Sequence, residues 1–439
     1  MARSTIFCRS AGILLATCCL SFPVLAADLS VPANLPVPAN LPVPVDPSVP
    51  VGLRPLSQVL ATDSGPSPFQ LRLQYTGEAW ANNGGLQTGN TYLQNVFAGL
   101  RIDTEKAYGW TGGRFVAEGF YNNGNPLNEN FVGAVQDPSA VDVGIRNMAR
   151  LYQVYYDQQL GNTNIRFGVM DLETEFGVTR PMDAYFSGAF AWSSTLDVSG
   201  ERGLNGPSTY PNTALGVRVR QQLNDQWSIQ AAVVNGMADQ VASPQSNSIA
   251  FNSRNGALAI AEVDYAPVAR TKLMAGYWTY TGLQDTQNEF TESGALRQVR
   301  GSQGAYVGGT TRLYTIKDAR GLDAFFNFGI GDSKVNVVDR SINVGLAFTG
   351  LFDARPKDKL GFGIGVVRAG GPFQLAQLAE GNAVHGYETS FELTYRAVLS
   401  DWLTVQPNIQ YIVHPGFDRA LKNDFLFGLH FEMGRLFNL

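Results

Sequence analysis

The chain has 439 residues, 44% of them apolar and 11% aromatic, with 47 glycines and only 16% charged residues. This composition excludes a disordered polar chain and suits a β-rich protein with many turns. A net charge of −5 with no basic block argues against a nucleic-acid partner, which needs clustered Lys and Arg.

Residues 1–26 read as a secretory signal peptide: Arg3 and Arg9 form a positive start, Ala11 to Leu25 an apolar stretch, and Val24-Leu25-Ala26 a cleavage site. All three cysteines, Cys8, Cys18 and Cys19, lie in this leader, so the exported chain is expected to carry no disulfide, thiolate metal site or Cys nucleophile. Residues 27–68 form a Pro-rich periplasmic segment. Eight prolines fall between 31 and 55, where Val31-Pro32-Ala33-Asn34-Leu35-Pro36 repeats as Val37-Pro38-Ala39-Asn40-Leu41-Pro42. Proline fixes φ and removes backbone donors, so this stretch is expected to be extended polyproline II. It is either a plain tether or a ligand for a periplasmic partner.

From Phe69 to the C-terminus the pattern has period two. Tyr387 to Arg396 alternate apolar and polar side chains, and Phe425, Phe427, Leu429, Phe431 and Met433 alternate with Leu426, Gly428, His430, Glu432 and Gly434. Alternate side chains on a strand point to opposite faces, so each such stretch has a greasy and a polar side. About sixteen strands are expected, starting near residues 69, 91, 113, 150, 163, 213, 226, 256, 270, 303, 322, 340, 360, 386, 402 and 423. Brief turns, such as Leu160-Gly161-Asn162 and Leu223-Asn224-Asp225, alternate with long loops, such as 123–149 and 171–212. That asymmetry predicts an all-β transmembrane antiparallel barrel over 69–439, with short periplasmic turns and long extracellular loops. No apolar run of 18 residues follows the leader, and a barrel needs none, because closure satisfies the backbone. The strand 423–439 departs from the usual aromatic ending: Leu439 stands last and Phe437 two residues earlier.

Several stretches resemble the carbohydrate-selective porins of Gram-negative bacteria, the OprB family. They are Tyr75-Thr76-Gly77-Glu78-Ala79-Trp80, Asp103-Thr104-Glu105-Lys106 with Gly109-Trp110, Asn122-Asn123-Gly124-Asn125-Pro126, Arg150 to Gln158, Arg166 to Leu172 with Glu175-Phe176, and Tyr210 to Arg218. The resemblance implies a sixteen-stranded outer-membrane pore that passes glucose and other sugars by diffusion.

A sugar pore must replace water on hydroxyls with side-chain hydrogen bonds and still release its solute. Inward-facing candidates are Arg72, Glu78, Trp80, Arg114, Glu118, Arg166, Arg218 and Arg220, whose neighbours Leu71, Leu73, Phe115, Phe167, Val217 and Val219 face lipid. The loop 171–212 has the length to fold inward; its Asp171 and Glu173, with Glu175, Arg180, Asp183 and Trp192, would then narrow the channel and set acids against Arg166, Arg218 and Arg220. Expected partners are sugars in transit and outer-membrane lipid, while a homotrimer and a periplasmic partner stay open. A general or anion-preferring pore, or a structural or export-associated envelope barrel, is the alternative. The three histidines show no ligand spacing and Gly361-Phe362-Gly363-Ile364-Gly365 lies in a strand, so neither metal, cofactor nor catalysis is expected.

Overall fold

The computed structural model describes residues 67–199, 206–238, 254–317 and 319–439. The expected leader with its cysteines, and the Pro-rich stretch 31–55, lie outside the described residues. Sixteen antiparallel strands close into one barrel. In chain order they are β1 (Phe69–Gly85), β2 (Gly89–Asp103), β3 (Gly113–Gly124), β4 (Met148–Leu160), β5 (Thr163–Met170), β6 (Ala214–Gln222), β7 (Trp227–Asn235) and β8 (Ala257–Tyr265). The second half follows as β9 (Lys272–Phe290), β10 (Leu296–Lys317), β11 (Arg320–Gly331), β12 (Val338–Thr349), β13 (Lys359–Ala369), β14 (Tyr387–Val398), β15 (Leu403–Val413) and β16 (Lys422–Asn438).

Each strand pairs with its sequence neighbours, and β16 returns to β1 in a register running from Gln70↔Asn438 to Gly85↔Lys422. Closure leaves no unpaired edge, as a hydrocarbon surround requires. The final residue takes part: Leu439 donates its amide to the Phe69 carbonyl at 2.9 Å, and Phe437 stands opposite Leu71.

Period two has the expected consequence. Phe425, Phe427 and Leu429 on β16 are exposed on the outer face, whereas Asp424, Leu426, Gly428 and His430 are buried within. Among the described residues no helix is long and apolar enough to span a membrane, and the strands carry that task.

Two sequence expectations need correction. Strand β10 begins at Leu296, not near 303. Its first residues form a hairpin with β9 in which Leu296, Arg297, Gln298 and Arg300 are all exposed, so water on both faces left no apolar period to read. The alternation of connections also fails at its first step. β1 and β2 are joined by only 86–88 at the long-loop end, and β2 and β3 by a small helix, Thr104–Tyr108, at the short-turn end. Asp103 caps that helix by accepting the Lys106 amide at 3.2 Å, and Gly109 ends it at φ 74°.

The lumen is narrowed by segments folded into it. Inside β7–β9 the wall is apolar, with Val234, Leu258, Ile260 and Trp278 buried against Leu172, Phe176, Trp192 and Leu196 of the segment between β5 and β6. At these positions the strands are greasy on both faces, because one meets lipid and the other meets a loop, while Ser228, Gln230, Glu262 and Asp264 keep the rest of the inner face polar.

Candidate functional site

Two loops enter the barrel. The first, 125–147, is folded on itself by Asp142, whose carboxylate accepts the Leu127 and Asn128 amides at 2.5 and 3.1 Å. It reaches β1 through Ser139 Oγ, which donates to Glu78 at 2.5 Å, and β15 through the Pro138 carbonyl, which accepts from Gln410 at 2.8 Å. The second, 171–213, crosses the lumen. Gly177 donates its amide to Glu262 of β8 at 2.6 Å, the Tyr185 hydroxyl donates to the Leu346 and Phe362 carbonyls at 2.7 and 3.0 Å, and Asp183 meets Lys359 at 2.6 Å. Gln406 of β15 donates to the Ala184 carbonyl at 2.9 Å. Such contacts with inward side chains of distant strands place the span inside the barrel.

The arginines on β5 and β6 do not form an open basic wall. Arg166 grips Asp157 with two bonds of 2.9 and 2.8 Å and Glu175 with a third of 2.8 Å. Arg218 pairs with Glu175 at 2.9 Å and lies 3.7 Å from Asp157. All four side chains are at least nine-tenths buried, and the Tyr155 ring lies 3.9 Å from the Arg166 guanidinium carbon. Two cations and two anions cancel. Arg220 is paired as well, 3.6 Å from Asp264, a carboxylate it shares with Lys272 at 3.0 Å. Of the loop acids only Glu175 faces these arginines. Asp171 instead accepts from the Tyr152 hydroxyl and the Glu173 amide, while Glu173 accepts from Thr209. Burial, followed by the neighbouring Asp171 and Asp197 carboxylates, pushes Glu173 up to about 8.

The remaining sequence candidates also lie on the lumen face. Arg72 is buried beside Gln74, Glu118 accepts from Gln153 at 2.8 Å, and Arg114 is half-buried on β3. Glu78 gathers the Trp80 indole N–H at 2.8 Å, Ser139, and the His430 Nδ1 at 2.7 Å. The Trp80 ring lies against Gly428, where a Cβ would stand 2.5 Å from it. Neither Trp80 nor Trp192 has a free face for a sugar ring, because both are buried. Arg180's side chain lies outside the described residues.

Some polar groups inside the barrel stay half-buried. Toward the short-turn end these are Arg114, Asn164, Arg220 and Lys272; toward the long loops they are Glu173, Tyr210 and Asn212. Tyr210 closes a ring cluster with Phe97, Phe120 and Tyr152 at centroid distances of 5.1 to 6.0 Å. The sequence reading missed Glu262, Glu388 and Glu392, although the even parity of β14 already put the last two inside. It also missed the loop 125–147, whose own residues carry no sign of where they dock. Among the described residues no three His, Asp or Glu side chains gather as metal ligands.

A closed barrel of this strand number, greasy outside and polar within, with loops folded into its lumen, is a porin. The model of the family "Carbohydrate-selective porin, OprB family" matches residues 87–434, and the chain belongs to that family. It is therefore a carbohydrate-selective channel of the bacterial outer membrane. It is 26% identical over 409 residues to Porin B of Pseudomonas aeruginosa, covering 83% of this chain and 87% of that protein. It is 24% identical over 383 residues to the putative porin QuiX of Acinetobacter baylyi, covering 80% and 85%. The high-pH structure of Pseudomonas putida OprB superposes with a TM-score of 0.75 at 23% identity, covering 84% of this chain and 94% of that one, which shows the shared fold.

Proposed function

We propose that the pore passes glucose-like monosaccharides by passive diffusion, without catalysis, along a path narrowed by the two inward loops. The observation that carries this reading is the neutralised wall. With Arg166 and Arg218 locked to Asp157 and Glu175, the constriction offers fixed hydrogen-bonding groups and no net charge. A neutral polyol gains from such a surface, whereas a small ion gains little. Arg72, Glu78, Arg114, Glu118, Asp171, Glu173 and Arg220 belong to that lining, and Tyr210 supports an aromatic contact with the apolar face of a pyranose. The same neutrality weighs against an anion-preferring pore.

Assembly as a homotrimer is part of the proposal, supported by the outer face of β1–β3. There Ala79, Ala98 and Ala117 are small outward side chains, Tyr92 and Phe431 cover Gly77, and Gln94 presents an amide that accepts from the Tyr75 hydroxyl at 3.2 Å. The Pro-rich segment 31–55 is proposed to be a plain tether, on the density of its prolines. The test of the pore is sugar block in planar bilayers. Glucose added to one side is expected to reduce the single-channel ion current reversibly and saturably, and a current that falls only with bulk viscosity would overturn the reading.

A further inference from the structure

Strand β14 carries two glutamates on its lumen face, four residues apart, and each holds the backbone of a different inward loop. The Glu388 carboxylate accepts the successive Val135 and Gln136 amides at 2.8 and 2.9 Å, and the Gly416 amide at 2.7 Å. The Glu392 carboxylate accepts the successive Phe186 and Ser187 amides at 2.9 and 3.1 Å, and the Asn408 side-chain amide at 2.6 Å. Both side chains are buried, and neither has a cation within ion-pair distance among the described residues. A buried carboxylate without a counter-ion is costly unless several donors compensate it, and paired backbone amides do so strongly. Ser390 and Thr394, in the same row, give the wall its polarity without that cost. The carboxylates are therefore committed to the loops.

The loops also hold one another at this point. Gly188 donates its amide to the Asp137 carbonyl at 2.9 Å, Ala140 donates to the Phe186 carbonyl at 2.9 Å, and Gln136 donates to Ser194 at 3.1 Å. The second loop leaves the barrel at β5, seven strands from β14 in one direction and nine in the other. Its span thus runs nearly across the lumen and ends on β14. Its stem is fixed separately, by Glu175 between Arg166 and Arg218 and by Ser208, whose hydroxyl donates to the Met170 carbonyl at 2.6 Å.

We propose that Glu388 and Glu392 are positioning residues that latch the two inward loops to the far wall and so set the width of the pore. This rests on the reading of the loop-lined gap as the permeation path. Removing the latch loosens the middle of each span, leaving the second loop held there only by its Asp183, Ala184 and Tyr185 contacts, while the stems and the barrel stay paired.

The test compares wild type with E388Q, E392Q and the double variant E388A/E392A, purified as full chains. Heat-modifiable migration reports the barrel; single-channel conductance, exclusion of graded polyethylene glycols and reversal potential report the pore. The double variant is expected to migrate as a folded barrel, roughly double the conductance and admit larger polymers, with little change in reversal potential. Each Gln variant keeps one acceptor oxygen and is expected to lie between. If the size cutoff stays at the wild-type value while the reversal potential moves toward anions, the glutamates act as lumen charges and the latch is overturned. If the double variant does not fold, the two Gln variants decide by the same readouts. A wild type closed to ions that the variants open would overturn the pore reading while supporting the latch; closure of all four proteins would overturn both.

Discussion

Replacing Glu175 by Gln isolates the electrostatics of the constriction. In the wild type Arg166 and Arg218 are matched by Asp157 and Glu175, four charges summing to zero. Glu175→Gln keeps the shape and removes one anion, leaving Arg218 its hydrogen bonds to Asn164 and, as anion, Asp157 at 3.7 Å. Breaking a buried pair by removing one partner costs about 3–5 kcal/mol, and Gln, which still accepts a hydrogen bond, falls toward the lower end. The barrel tolerates that loss because its strand ladder is untouched. For permeation, one uncompensated positive charge acting at about 6 Å through water-filled space changes the energy of a passing ion by about 0.7 kcal/mol. That is a factor of about three in occupancy, raised for anions and lowered for cations. Reversal potentials under a KCl gradient measure it, at about 0.1 M, where the Debye length is about 10 Å, and again at about 1 M, where screening shrinks the effect. The expected shift is toward anions at low salt. Arg218→Ala removes a cation from the same group and should shift the potential toward cations. An unchanged potential in both folded variants would refute the charge balance assigned here.

Glu173 gives a pH dependence. Its carboxyl is pushed up to about 8 against an ordinary 4.5, so the folded protein holds this proton more tightly than the unfolded chain. The stability gained is whole below about pH 4.5 and is lost as pH rises through about 8, when an anion also appears near the entrance. Cation preference should therefore rise from about pH 7 to about pH 9, and Glu173→Gln should reduce the rise. Trp192, 1% exposed and donating to Asp197 at 3.0 Å, anchors the core between loop and wall. Trp192→Ala should cost about 3–5 kcal/mol of loop docking, seen as current flicker with heat-modifiable migration retained. Phe427, 51% exposed on the outer face of β16, tests the membrane assignment. Phe427→Arg should destabilise the barrel by about 2–4 kcal/mol in urea unfolding from lipid vesicles if it lies near the bilayer midplane, and by less toward either rim.

Most of the barrel was legible in the sequence because a strand exposed to lipid on one face and a polar lumen on the other must alternate. β16, with Phe425, Phe427 and Leu429 outward and Asp424, Leu426 and Gly428 inward, states its own orientation. The signal weakened wherever the environment on the two faces became alike. Water surrounds the start of β10, so Arg297 to Arg300 gave no period. Grease surrounds Val234, Leu258 and Ile260, so the alternation along this part of β7 and β8 is weak, even though both strands start near the residues expected. The site was legible in its membership more than in its pairing. Parity put Arg72, Arg166 and Arg218 on the lumen face, and the short β4–β5 turn sets Asp157 opposite Arg166, but Glu175, which completes the group, comes from a loop at no fixed spacing from them. Likewise Trp80 and Trp192 face inward, and only the folded loops reveal that neither ring is free for a ligand.

The most direct test of sugar-selective diffusion is liposome swelling with the purified full chain. Solutes of matched size should be compared: glucose and other neutral hexoses against amino acids, and monosaccharides against disaccharides and trisaccharides. Hexoses should enter fastest, amino acids of similar size more slowly, and trisaccharides should be nearly excluded. Equal rates for sugars and amino acids of the same size would contradict a neutral, hydroxyl-binding constriction, and swelling by none of them would contradict the open path itself.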